Sequence, residues 1–225
     1  MNRFKYVIMC GGTYEAWETP RQLTEINGEA VVARTIRLLK AAGVKDIAIS
    51  SKDKRFSAFG VPVLQHDNDL DVKADKTSTG YWVDAFYPME DPACYLMGDV
   101  VFSPDAIKTI TETDTNGIMF FASRPPFSPA YIKPWAEHFA FKVADQKRFR
   151  AAIDFVRSNI HTGLFVRHPI AWELWQVING ENPRTINFYN YVAINDYTCD
   201  IDRPQDEVAI AEVLKHEKRD QVFPV

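Results

Sequence analysis

Tyr6-Val7-Ile8-Met9-Cys10-Gly11-Gly12-Thr13 decides the fold class. Tyr6 to Cys10 is an unbroken apolar run of strand length, the pattern of a strand buried on both faces in a parallel sheet. Gly11-Gly12 ends it, since paired glycines suit neither a helix nor a strand interior. A polar loop follows, up to about Asn27-Gly28. From Ala30 to Ala42, Val32, Ile36 and Leu39 recur at helical spacing and Gly43 stands at the C-cap, so a helix is expected there. Asp46 to Ser50 reads as a second strand. Val61 to Gln65 reads as a third, pushed to an edge by Pro62.

Further along, Gly80 to Tyr87 has a helical pattern. Ala93 to Met97 is another apolar strand, closed by Gly98-Asp99. Ser103-Pro104 supplies an N-cap and a first-turn proline for a helix over residues 105–111. Gly117 to Ala122 completes a half-chain in which strand and helix alternate. That alternation argues for an α/β fold with a doubly wound, parallel sheet. In the second half, residues 123–134 carry four prolines and read as a loop. Strands are expected over 139–143, 185–190 and 192–199, and helices over 147–159, 169–178 and 204–218. The reading is one domain, residues 1–225, with a substrate lobe drawn from about 123–195.

Composition narrows the function. The chain has 225 residues, 26 basic against 30 acidic, for a net charge of −4, and no basic run. A nucleic-acid partner is therefore not expected. Cys10, Cys94 and Cys199 show no metal or redox spacing, and read as buried thiols of a reducing compartment. No apolar stretch approaches 20 residues and no signal segment is visible, so a cytoplasmic, membrane-free protein is expected.

Three constellations carry chemistry. Gly11-Gly12-Thr13 after the first strand, followed by Thr19-Pro20-Arg21, lets backbone N–H groups approach a phosphate and adds a guanidinium to grip it. A plain turn beside a surface arginine satisfies the same spacing. No Gly-Lys-Ser/Thr and no GxGxxG pattern exists. Asp99 ends the fourth strand, where open α/β sheets place their ligands. Asp200 and Asp202 share one face if their segment is extended. With Asp99 they are suited to a shared Mg2+, a hard cation that prefers oxygen ligands and substrate phosphates. Capping of the last helix by Asp202 is the plain alternative, and the two uses are compatible.

These segments in order, with "INGEAVVARTIRLLKAAGVKDIAIS" (26–50), "YLMGDVVFSPDAI" (95–107) and "YTCDIDRPQDEVAIAEVL" (197–214), resemble the sugar-phosphate and phosphocholine nucleotidyltransferases. The resemblance covers 6–50, 93–108 and 197–214 and fades between about 120 and 190. It implies a Rossmann-like, mostly parallel (mixed) sheet of the nucleotide-diphospho-sugar transferase type. It implies that Gly11, Gly12 and Thr13 wrap the nucleotide phosphates. Arg21 stands where that family usually has a phosphate-contacting lysine. Asp99 and Asp202 match its metal aspartates, with Asp200 beside them. Ser78 and Thr79, in Lys76-Thr77-Ser78-Thr79-Gly80, fall where that family faces the base. One departure is acidic: Glu15 and Glu18 occupy the stretch where the family carries a glycine and an arginine for the triphosphate.

The activity implied is transfer of a nucleoside monophosphate, CMP by preference, from an NTP to a small phosphorylated acceptor, releasing pyrophosphate. Phosphocholine, a sugar 1-phosphate or a similar metabolite fits as acceptor. Arg124, Lys133 and Arg184 are the candidate cations for its phosphate. Aromatics between 123 and 190 (Phe127, Tyr131, Trp135, Phe139, Phe141, Phe165, Trp172, Trp175) are expected mostly in the core, with a few left to wall the acceptor. A homodimer is compatible with this reading. Two rivals stand beside it: a glycosyltransferase of the same fold using a nucleotide sugar, and a non-catalytic nucleotide-binding regulatory domain. Asp99-Val100-Val101 lacks the second aspartate that such glycosyltransferases place after the fourth strand.

Overall fold

The computed structural model describes residues 4–11, 19–66, 80–125 and 135–220. In chain order the elements are β1 (Lys5–Met9), β2 (Glu25–Ile26), β3 (Glu29–Ala30), α1 (Val31–Ala41), β4 (Ile47–Ser50), β5 (Val63–Leu64), β6 (Ala93–Met97), β7 (Val100–Val101), α2 (Pro104–Glu112), β8 (Ile118–Ser123), β9 (Glu137–Val143), α3 (Gln146–Asn159), α4 (Ala171–Asn179), β10 (Val192–Ala193), β11 (Cys199–Asp200) and α5 (Pro204–Asp220). Seven strands form one sheet in the order β10-β8-β9-β6-β1-β4-β5. All pairs are parallel except those made by β9, which runs antiparallel between β6 and β8. The mixed, mostly parallel sheet is thus of the expected class.

β9 shows how the sheet is covered. Successive side chains of a strand face opposite ways. Phe141 packs on Phe149 of α3 and Trp175 of α4. Its neighbour Lys142 faces the other side, where its buried ammonium donates to the carbonyls of Ile110 (2.9 Å), Thr111 (3.1 Å) and Thr113 (2.6 Å) at the end of α2. Helices α3 and α4 therefore cover one face and α2, packed with α1, the other. The first face is dense in rings: Phe120 stacks on Phe141 at 4.5 Å, and Trp172 meets Phe120 edge-on at 5.0 Å. The expected core role holds for Phe139, Phe141, Trp172 and Trp175, whereas Trp135 is exposed and Phe165 half-buried. Phe127 and Tyr131 lie outside the described residues.

The chain winds from β1 through α1 to β4 and β5, then returns to β6 on the other side of β1. The winding direction reverses between β1 and β6, where an open α/β sheet leaves a crevice beyond its carboxyl ends. Met9 pairs with Met97, so both strands deliver their following turns, Cys10-Gly11 and Gly98-Asp99, to that crevice.

Several expectations need correcting. Residues 185–190 form no strand. Side chains of α4 staple that segment instead: Gln176 Nε2 donates to Asn182 O at 3.0 Å and Thr185 O at 2.6 Å, and Trp175 Nε1 to Tyr189 O at 2.9 Å. Residues 192–199 are not one strand either. The Asp196 carboxylate accepts from Thr198 N at 2.7 Å, and this turn separates β10 from β11. The loop before α1 contains a hairpin, β2–β3, whose Asn27 and Gly28 carry φ of 52° and 80°. Asn-Gly is the favoured pair for such a turn because both positions require positive φ. The stretch from about 123 to 195 contributes β9, α3, α4 and β10 to the sheet and its cover.

Candidate active site

Two backbone devices build the crevice. Gly98 N donates to Met9 O at 3.1 Å, closing the turns after β1 and β6 on each other. A Cβ at Gly98 would run into that carbonyl oxygen and stand 2.9 Å from Cys10 Sγ, so the approach requires glycine. Next, β7 pairs antiparallel with β11, setting Asp200 opposite Val100, and Ile201 N donates to Asp99 O at 3.0 Å. Backbone segments about a hundred positions apart, each carrying an acid, are thereby clamped together.

A small apolar cluster of Ile26, Val31, Val101, Cys199, Ile201, Ile210 and Leu214 supports this clamp from below. Buried Arg34 on α1 ties it together, donating to Phe102 O at 3.0 Å and Tyr197 Oη at 2.9 Å. Asn27 in the hairpin donates to Ala211 O of α5 at 2.8 Å. The α5 N-terminus is capped by Asp206, whose carboxylate accepts from Asp202 N at 2.9 Å and Arg203 N at 3.0 Å. Asp202 Oδ1 meanwhile reaches Arg21 Nη1 in the crevice, at 3.3 Å.

There Asp99 and Asp202 meet one guanidinium. Arg21 Nη2 lies 2.7 Å from Asp99 Oδ2 and Arg21 Nη1 lies 3.3 Å from Asp202 Oδ1. Nη1 also donates to Ile201 O at 2.8 Å. Asp200 and Asp202 stand with Glu137, at the start of β9, with one carboxylate oxygen of each within 4.8 Å of the others. Glu137 is buried and accepts from Trp135 Nε1 at 3.0 Å, and the Trp135 ring lies 5.6 Å beneath the Arg203 guanidinium. A group of hard carboxylate oxygens at the carboxyl ends of strands has the donor chemistry of a Mg2+ seat.

Glu137 is a site residue that the sequence does not announce. It lies two residues ahead of the apolar run that marks β9, and no spacing motif points to it. His138 next to it packs edge-on against Trp82 at 5.3 Å. Desolvation pushes its imidazole below the ordinary histidine value, against the pull of the Asp200, Asp99 and Glu173 carboxylates, so it is neutral at pH 7. Burial, reinforced by the Asp99 charge, pushes the Cys10 thiol well up, which keeps it protonated beside the crevice.

Gly11 follows β1 at the crevice, while Gly12, Thr13, Ser78, Thr79 and Lys133 lie outside the described residues. Arg124 is exposed just past β8, close enough to Tyr191 for its charge to be felt by the phenol. Arg184 is exposed beyond the C-terminus of α4, in a turn where its N–H donates to Asn182 Oδ1 at 3.0 Å.

No family model and no curated protein matches the chain. Solved structures do. The inositol-1-phosphate CTP transferase from T. maritima is 14% identical with a TM-score of 0.51, covering 99% of this chain and 98% of its own. A CMP:2-keto-3-deoxy-manno-octonic acid synthetase complexed with CTP is 14% identical with a TM-score of 0.54, covering 96% and 99%. A protein from Bacillus anthracis assigned as a glucose-1-phosphate thymidylyltransferase and solved with sucrose is 15% identical with a TM-score of 0.54, covering 99% and 98%. Along nearly its whole length, the chain therefore has the α/β fold of the nucleotide-diphospho-sugar transferase type found in these nucleotidyltransferases.

Proposed function

We propose that the protein is a magnesium-dependent nucleotidyltransferase that joins the nucleoside monophosphate of an NTP, CTP by preference, to a small phosphorylated acceptor. The observation that carries the reading is the meeting of Asp99 and Asp202 at the β1–β6 switch point, across 103 residues of sequence and beside the Gly11 turn. The likeness in fold to two CTP-using enzymes supports the choice of nucleotide.

Asp202, Asp200 and Glu137, whose carboxylates already stand together, would hold the metal, and Asp99, joined to Asp202 through Arg21, would complete the set. When bound, the metal supplies positive charge to the reacting phosphates. Gly11 stands at the crevice, and the Gly11-Gly12-Thr13 sequence suits backbone N–H donation to the nucleotide phosphates. By the resemblance in sequence, Ser78 and Thr79 are the candidates for contact with the base. Arg21 draws charge from the α-phosphate or the leaving pyrophosphate. Arg124, Lys133 and Arg184 are the candidate cations for the acceptor phosphate. The acceptor's phosphate oxygen attacks the α-phosphorus in line, the bond to the bridging oxygen breaks, and pyrophosphate departs. That oxygen is already anionic, so no general base is required and catalysis rests on positioning and charge neutralisation.

The test is pyrophosphate release on mixing each of the four NTPs with phosphocholine, sugar 1-phosphates and related phosphorylated metabolites, with Mg2+ and with EDTA. CTP-dependent release that needs both Mg2+ and an acceptor is expected. Binding of CTP without turnover across the panel would count against an enzyme.

A further inference from the structure

The backbone forces Asp99 and Asp202 together whether or not a cation is present. The Ile201 N–Asp99 O bond and the β7–β11 pairing fix where both side chains start. Asp200 and Glu137 add negative charge alongside. Like charges gathered at a partly desolvated spot cost stability unless a cation is among them. Arg21 is that cation, and its planar fork spans both carboxylates at once while a further contact goes to Ile201 O. Its backbone is anchored in the short 3-10 turn Arg21–Leu23, where Leu23 N bonds Pro20 O at 2.8 Å and Thr24 N bonds Arg21 O at 3.0 Å. With the backbone fixed, any change of partner falls to the side chain.

We infer that Arg21 is a built-in stand-in for the divalent cation: it bridges Asp99 and Asp202 until the metal displaces it, and it then turns to the nucleotide phosphates. The inference rests on the nucleotidyltransferase reading above and assigns the order of events at its site. A divalent ion coordinated by these two carboxylates takes the oxygen lone pairs that Arg21 now holds, so guanidinium and metal compete. Displaced, the guanidinium has the incoming phosphates as its nearest replacement anion. Metal and nucleotide therefore favour one another, since the phosphates give the evicted arginine a partner.

The test measures Mn2+ binding to the nucleotide-free protein by calorimetry for wild type, R21Q and D202N, together with Tm in EDTA and in excess Mg2+. Expected is Mn2+ affinity about tenfold tighter in R21Q than in wild type, because the competitor is gone. R21Q is also expected to melt below wild type in EDTA, with the gap closing in Mg2+. Mn2+ affinity in R21Q equal to or weaker than wild type overturns the inference, and loss of binding in D202N alongside that result leaves the metal assignment standing. Absence of Mn2+ binding in both wild type and R21Q overturns both. A second readout needs no folded R21Q variant. The Arg21 Nε–H NMR resonance, assigned by its loss in R21K, should shift when Mg2+ is added to wild type, and an unmoved resonance under saturating Mg2+ overturns displacement.

Discussion

At the scale of single residues, two adjacent positions at the end of β6 carry the proposed site. Asp99 is one. Exchanging it for asparagine keeps its shape and removes its charge, so D99N should lower turnover in the pyrophosphate assay by at least about a hundredfold, as losing a key electrostatic group does. Its unfolding free energy should stay within about 1 kcal/mol of wild type, because the pair with Arg21 is partly exposed and screened; near-normal turnover would remove Asp99 from the metal seat. Gly98 is the other. Any side chain there collides with Met9 O, so G98A should cost about 2 kcal/mol or more in chemical denaturation. A neutral result would show that the turns after β1 and β6 are not tightly closed. The importance of Asp99 is legible in sequence from its place after an apolar strand. The Gly98 constraint is not, since it comes from a strand reached through more than eighty intervening residues.

At the scale of elements, local signals did well wherever the hydrogen bonds stay local. Ser103-Pro104 announces α2, and Ser103 Oγ does accept from Ala106 N at 2.9 Å while donating to Asp196 at 2.5 Å. Gly43 announces the end of α1 and adopts φ 81° there. The failures came where side chains take over the work of a ladder, as Gln176 and Trp175 do for residues 182–189. The C-terminus of α2 is a further case, because its carbonyls are satisfied by Lys142 from a neighbouring strand. K142M should leave three acceptors without that donor and cost about 3 kcal/mol, read as a lower denaturation midpoint. An unchanged midpoint would mean that water satisfies those carbonyls equally well. A lysine inside the apolar run Phe139–Val143 looks in sequence like a solvent-facing strand position, and only the helix end above it explains its burial.

At the scale of the whole molecule, the three thiols report how closed the fold is. Cys10, Cys94 and Cys199 are free and buried, and burial pushes the Cys94 thiol up to about 12. A disulfide reagent at pH 8 should therefore label none of them in the folded protein and all three after unfolding, counted by absorbance. Fast labelling of Cys10 in the native state would mean that the crevice floor opens. Among the described residues no helix is long and apolar enough to cross a membrane. The alternation of apolar strands with amphipathic helices, the glycine turn after β1 and the acid after β6 are properties of short segments, so the sequence by itself determined the fold class and one wall of the site. The antiparallel insertion of β9, the recruitment of Glu137 and the seating of Arg21 between Asp99 and Asp202 belong to the tertiary structure alone. Periodicity and caps act over a few residues, whereas strand order and the convergence of distant charges are settled by pairing and burial across the whole chain.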